Sequence, residues 1–356
     1  MAVQFVIRIT FLVLLTYWLA GAAPPIGKSD CKTHCGNVTN IPYPFGMGSS
    51  HCYMDDWFEI VCNRSGAFLK RINMEVLEIP INGRGLDEGN TVRVKSPIIS
   101  SNPSCTSMSS GGDVNLKGSP FTFSETGRYR NGGGNKFISV GCNNFAMMTE
   151  TDPMVIGCKS NCNTSLINDE GNTCSGYNCC ETTIPSGLQT FNVSFLKDDK
   201  KGQEGCRYAF LAQEEWLNYN ISLPFSVEKI DFIPVVVLDW RIYNWTKGSL
   251  QMLESFTTNR QDSACAFYST PSSTSEFYTF ETKVTRSTYF SKFRCWCRWG
   301  YKGNPYLTTG CEGKFRIYIY IYILALAFKL VIFINININK LILVLWGMIM
   351  FEVNFY

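Results

Sequence analysis

The chain is 356 residues long and 45% hydrophobic, with sixteen cysteines, two histidines and a formal net charge of +3 from 32 basic and 29 acidic groups. Setting aside five basic residues near the ends (Arg8, Lys314, Arg316, Lys329 and Lys340) and one acidic residue (Glu352) leaves 27 against 28, a near-neutral body. That balance excludes global electrostatic steering to nucleic acid or anionic lipid, so any anion recognition must come from local clustering.

Residues 1–22 place Arg8 before an apolar run that ends in small residues, with Ala20 and Ala22 in a small-x-small pattern, which predicts a secretory signal cut after Ala22. The run is short for a bilayer span. Export to an oxidising compartment makes the even set of cysteines a disulfide framework: Cys31, Cys35, Cys52, Cys62, Cys105, Cys142, Cys158, Cys162, Cys174, Cys179, Cys180, Cys206, Cys265, Cys295, Cys297 and Cys311. A zinc site drawn from Cys31, His34, Cys35, His51 and Cys52 would need reduced thiolates and is set aside; neither metal nor cofactor is expected. Sequons at Asn37, Asn63, Asn163, Asn192, Asn220 and Asn244 agree with export and mark surface positions.

Helical periodicity is scarce, and short alternating or β-branched runs bounded by Gly, Pro, Asn and Ser recur, so the fold class is mostly β and disulfide-rich. The predicted strands are WFEIVC (57–62), TVRVKSPII (91–99), PFTFSE (120–125), NKFISVGC (135–142), LQTFNVSFL (188–196) and FYTFETKVTRSTYF (277–290). CRYAFLAQEEWL (206–217) is the helix candidate, with Tyr208, Leu211 and Glu215 to Trp216 on a rough apolar face. Residues 101–120 read as a loop, 147–162 as a passage between domains and 269–277 as a polar connector. The expected organisation is two small β domains, 31–150 and 151–270, followed by a compact cysteine module at 271–312.

The most specific stretch is CKTHCGNVTNIPYPFGMGSSHCYMDDWFEIVC (31–62): a cysteine, a spaced Cys-Gly, Ile41 through Gly46 as IPYPFG, a further cysteine, and an aromatic strand ending in Cys62. It resembles the galacturonan-binding extracellular domain of plant wall-associated receptor kinases. The resemblance continues in order through FISVGCNNFAMM, GCKSNC, CSGYNCCETTIPSGLQTFNVSF and CRYAFLAQEEWL, and covers nearly all of residues 31–311. CWCRWGYKGNPYLTTGC (295–311) is similar to the second half of an EGF-like module, which implies a Cys297–Cys311 disulfide; too few cysteines precede it for a complete module.

The resemblance implies a polysaccharide-binding ectodomain whose partners are pectin and oligogalacturonides of the cell wall, outside the cell and with no nucleic acid involved. A galacturonate polymer carries a carboxylate per sugar, and carboxylates are held by Lys and Arg through charge-assisted hydrogen bonds. Between residues 60 and 140 the chain has ten basic and six acidic residues. Arg93 and Lys95 fall on one face of a predicted strand, opposite Val92 and Val94, and Arg128 and Arg130 likewise share a face, with Lys136 beyond a glycine-rich turn. Neighbours of this kind stand about 7 Å apart, the scale of successive sugar carboxylates. The plainer reading makes them ordinary solvated strand faces. Pro42 and Pro44 hold Tyr43 and Phe45 extended, either as a rigid aromatic ridge for sugar faces or as plugs of a small disulfide core.

Two other classes compete. A secreted hydrolase would draw on Asp55, Asp56 and Glu59 beside Trp57, yet the chain has only His34 and His51 and no G-x-S-x-G elbow. A protein-interaction receptor ectodomain is the third. Kinase signatures, a Gly-rich loop with a following VAIK-type lysine, HRD and DFG, are absent from the sequence, so enzyme activity is not expected. Residues 313–356 form a hydrophobic tail. Its Ile-Tyr and Asn-Ile alternation is what an AT-rich reading frame encodes, and Gly313-Lys314-Phe315 fits a splice-donor sequence, which predicts a translated intron. Residues 317–334 are nonetheless apolar except for Lys329 and long enough to span a bilayer, so a membrane tether is the competing reading.

Overall fold

The computed structural model describes residues 24–80, 90–102, 105, 112–125, 133–149, 156–162, 174–196, 205–220, 232–243, 262–268, 292–308 and 310–313. The chain divides into two compact units, one of Pro25–Trp299 with Gly303–Cys311 and one of Met1–Pro24, Gly300–Lys302 and Glu312–Tyr356. The strands are β1 (Ile60–Asn63), β2 (Gly66–Leu69), β3 (Met74–Glu78), β4 (Thr91–Lys95), β5 (Ile98–Ser100), β6 (Val114–Asn115), β7 (Phe121–Phe123), β8 (Asn135–Val140), β9 (Asn144–Met148) and β10 (Ile156–Ser160). They continue with β11 (Cys179–Thr183), β12 (Thr190–Phe191), β13 (Val193–Leu196) and β14 (Tyr208–Gln213), then helix α1 (Glu214–Asn220), then β15 (Val235–Trp240), β16 (Ile242–Tyr243), β17 (Ser263–Tyr268), β18 (Lys292–Cys297), β19 (Tyr301–Gly303) and β20 (Cys311–Gly313).

The architecture is mostly β. The largest sheet has the order β1-β2-β3-β4-β15-β7, and a second runs β11-β8-β14-β5. Smaller sheets have the orders β10-β9-β13 and β16-β18-β17. Alternation sets the faces of the first: Met74 and Val76 of β3 and Val92 and Val94 of β4 are buried, while Glu75, Glu78, Arg93 and Lys95 point outward. Both β14 (YAFLAQ) and β15 (VVVLDW) are buried along their whole length, the pattern of strands covered on both faces.

The helix expected over 206–217 is therefore corrected. Only Glu214 onward is helical, and Tyr208–Gln213 is a central strand, because a continuous apolar run suits a doubly covered strand as well as a buried helix. The sheets also do not divide at residue 150: β15 lies between β4 and β7, and β14 between β8 and β5. The stretch expected to pass between domains carries two antiparallel partners, β9 and β10, with Met148 opposite Ile156. The strand predicted at 277–290 lies outside the described residues.

All sixteen cysteines are paired: Cys31–Cys52, Cys35–Cys62, Cys105–Cys206, Cys142–Cys162, Cys158–Cys180, Cys174–Cys179, Cys265–Cys295 and Cys297–Cys311. The last is the bond that the EGF-like resemblance implied. Buried amides do the complementary work between backbones that no disulfide reaches. Asn135 Nδ2 donates to Ser124 O and Val237 O while its Oδ1 accepts from Val237 N, tying β8 to β15. Gln189 Nε2 donates to the carbonyls of Leu116, Ser119 and Phe121. Asn135 is buried and Gln189 half-buried, and these hydrogen bonds satisfy the polar atoms each takes out of water.

The same device fixes the terminal Gly-Asn-Pro-Tyr. Asn304 Nδ2 donates to Ile26 O at 2.7 Å and Tyr43 O at 2.6 Å. The Tyr306 hydroxyl accepts from Asn90 Nδ2 and Cys295 N and donates to Cys295 O. This signature is a clasp on the IPYPFG segment and on β18.

Candidate functional site

On the outer face of the first sheet, the alternation of β4 does put Arg93 and Lys95 side by side. Each meets a glutamate of β3: Arg93 Nη1 lies 3.1 Å from Glu78 Oε2, and Lys95 Nζ 2.8 Å from Glu75 Oε2. A register irregularity between Val76 and Glu78 sets Glu78 opposite Arg93. Lys136 lies on a different sheet, in β8, with Nζ 2.7 Å from Glu181 Oε1 and 2.8 Å from Glu214 Oε1. Burial alone would lower the pKa of its ammonium, but hydrogen bonds and charge from the two glutamates outweigh that and hold it above its ordinary value. Arg128 and Arg130 lie outside the described residues.

Tyr43 and Phe45 are core plugs. The whole of Ile41–Met47 is buried, and Phe45, 1% exposed, makes edge contacts with Phe58 at 5.1 Å and Trp240 at 5.4 Å. Burial, with a smaller push from the charge of Asp55, raises the Tyr43 hydroxyl to about 12. The reading of this pair as a sugar-stacking ridge is corrected: its aromatic faces are spent on the interior. Gly46 is required here by packing, since a Cβ would meet the Cys52 carbonyl.

The motif MDDWFEI forms the entry to β1. Asp55 Oδ1 accepts a hydrogen bond from Trp57 N at 2.8 Å, an Asx turn, and Asp55 O accepts from Phe58 N. Burial is the main cause of the raised pKa of the Asp55 carboxyl. Both carboxylate oxygens of Glu59 accept from Lys70 Nζ, at 2.8 Å. Of the acids the hydrolase reading draws on, one thus caps its own turn and one is held in an ion pair.

Beside them is a feature that the sequence did not single out. In the turn between β2 and β3, directly after Lys70, the exposed Arg71 carries its Cζ 4.5 Å over the ring of the half-buried Trp57. Lys70 N donates to Glu59 O, and this bond carries the turn back onto the MDDWFEI segment. The only signal in the sequence was the Lys70-Arg71 pair after the apolar run Ala67–Leu69, and its pairing with an aromatic is revealed only by the fold.

The five residues of the zinc alternative do not form a thiolate site. Cys31, His51 and Cys52 bring their ligand atoms within 4.8 Å of one another, but the two sulfurs are bonded to each other and Cys35 is bonded to Cys62. Asn37 and Asn63 are exposed, and Asn63 Oδ1 accepts from Ser65 N, Ser65 Oγ and Gly66 N, capping the β1–β2 turn. Asn192 is half-buried, Asn220 ends α1, and Asn163 and Asn244 lie outside the described residues. Among the described residues no helix is long and apolar enough to cross a membrane; residues 314–356 lie outside them.

Two family models match the chain: wall-associated receptor kinase galacturonan-binding over residues 31–94, and wall-associated kinase over residues 171–247. Curated relatives from Arabidopsis thaliana include wall-associated receptor kinase-like 3, 32% identical over 84% of this chain and 41% of the relative. Wall-associated receptor kinase-like 5 is 30% identical over 80% of this chain and 38% of the relative. Wall-associated receptor kinase-like 6 is 32% identical over 80% of this chain and 44% of the relative. The chain thus spans about two fifths of the length of these relatives. No solved structure matches it. With both family matches present in order on one cystine-braced β body, the chain is similar over most of its length to part of the wall-associated receptor kinase-like proteins.

Proposed function

We propose that this chain is a binding ectodomain that holds de-esterified pectin at the cell surface or in the wall and catalyses nothing itself. The observation that carries the reading is the match of residues 31–94 to the galacturonan-binding family. A polyanion is held by cations, and the cations proposed are Arg93, Lys95, Arg128, Arg130 and Lys136. Glutamate partners do not disqualify Arg93 and Lys95. Ion pairs at a solvated face are worth about 0–1 kcal/mol, so a uronate carboxylate that presents several charges in register exchanges with them at little cost. Against hydrolysis stand the structural roles of Asp55 and Glu59.

The test is retention of the oxidised chain on immobilised polygalacturonate. Retention at low ionic strength that is lost at high salt is expected, together with none on fully methyl-esterified pectin. Reversing Arg93, Lys95, Arg128 and Arg130 together should abolish it; unchanged retention removes this set from the binding surface. Release of reducing sugar during the assay would overturn the non-catalytic reading.

A further inference from the structure

We propose that Arg71, held in place over Trp57, is a carboxylate-recognising subsite for a single galacturonate unit. The proposal rests on the galacturonan-binding reading above and names a contact within its matched region.

Three cations in the matched region and its flank are already engaged: Lys70 with Glu59, Arg93 with Glu78 and Lys95 with Glu75. Arg71 differs. Among the described residues it makes no ion pair within 4 Å, although its charge acts on the Asp55 carboxyl and partly offsets the upward push of burial there, and its side chain is exposed. A guanidinium is a planar fork of five N–H donors whose edge matches both oxygens of a carboxylate. The cation–π contact with the indole uses up no carboxylate, so the exposed guanidinium keeps N–H donors for a ligand.

Trp57 in turn is fixed from three sides. Its backbone N–H is held by Asp55, its ring packs against the main apolar core, and the next residue, Phe58, is 1% exposed. A floppy arginine would lose about 2 kcal/mol of rotamer entropy on binding, and one already stacked on a fixed ring loses less. Arg71 is thus a pre-oriented donor fork at the surface, and Trp57 is its positioning residue. Neutral sugars offer no charged acceptor to this fork, so the ligand class is a uronate rather than a neutral hexose.

Oligogalacturonide binding to the full oxidised chain, measured by calorimetry at low ionic strength, tests it. The expected results are an about tenfold weaker Kd for Arg71→Gln and only partial recovery in Arg71→Lys, which restores charge without the fork. The slope of log Kd against log salt should also be shallower in Arg71→Gln than in the wild type. Trp57→Phe should retain affinity that Trp57→Leu loses, at matched melting temperatures. Wild-type binding with an unaltered Arg71→Gln overturns the subsite while the galacturonan reading stands. Full affinity in Arg71→Lys overturns the fork. Failure of the wild type to bind at all removes the functional reading and the subsite with it.

Discussion

On the outer face of β3 and β4, Arg93 and Lys95 each meet a glutamate of the neighbouring strand, at 3.1 and 2.8 Å, whereas in the β2–β3 turn Arg71 lies over an indole ring and, among the described residues, makes no ion pair within 4 Å, its charge acting on Asp55 without one. The two regions hold the same residue types in or directly beside one family match. They differ in what the fold has set opposite them. A strand face brings cross-strand neighbours within reach of each other, so a basic strand beside an acidic one neutralises itself. The β2–β3 turn has no such ladder: Lys70 at its start still pairs with Glu59, but Arg71 beside it lies over an aromatic ring instead. The aromatics divide in the same way: Phe45 closes an interior cluster with Phe58 and Trp240, while Trp57 stays half-buried under Arg71. Counts of Arg, Lys and aromatics in a sequence thus measure supply, and availability is a property of the register.

The largest way to break the comparison is Phe45→Ala. Removing a fully enclosed ring should cost about 3–5 kcal/mol of stability, read from chemical denaturation of the oxidised protein, while Trp57→Ala should cost less. Near-equal losses would mean that Trp57 is as much a core residue as Phe45. A smaller effect comes from converting the paired face into an unpaired one. Glu75→Gln with Glu78→Gln should lower stability by no more than about 1 kcal/mol and strengthen polygalacturonate retention about threefold at low salt. No gain in retention would show that the β3–β4 face does not meet the polymer. The smallest effect concerns Lys136. Its pKa is higher folded than unfolded, so its stabilising contribution is complete below the unfolded lysine pKa and is lost as pH rises through the folded one. Melting temperatures taken into the alkaline range should therefore fall less steeply for Lys136→Met than for the wild type, and parallel curves would contradict the pairing with Glu181 and Glu214.

Much of the fold was legible because its signals are local. The alternation of TVRVK predicted which side of β4 faces water, and the even cysteine count, read with an expected export signal, predicted a disulfide framework. Other features were not legible. YAFLAQ read as helix because a strand covered on both faces has lost the period of two that identifies strands. The glutamate partner of Arg93 was hidden by a register irregularity in β3, that of Lys95 by a strand pairing no local pattern encodes, and the burial of Tyr43 by a clasp from Asn304, 261 residues further along the chain.

From its amino-acid order alone this protein is a β-rich, cystine-braced body with the motifs of a galacturonan-binding ectodomain, because side-chain period, cysteine number and motif spacing are properties of neighbours along the chain. Which cation is spent on a glutamate and which lies open on an aromatic was decided only by the tertiary structure. Charge compensation acts across a few ångströms of space, and the partners it selects here come from separate strands and turns brought together by pairing that no local signal encodes.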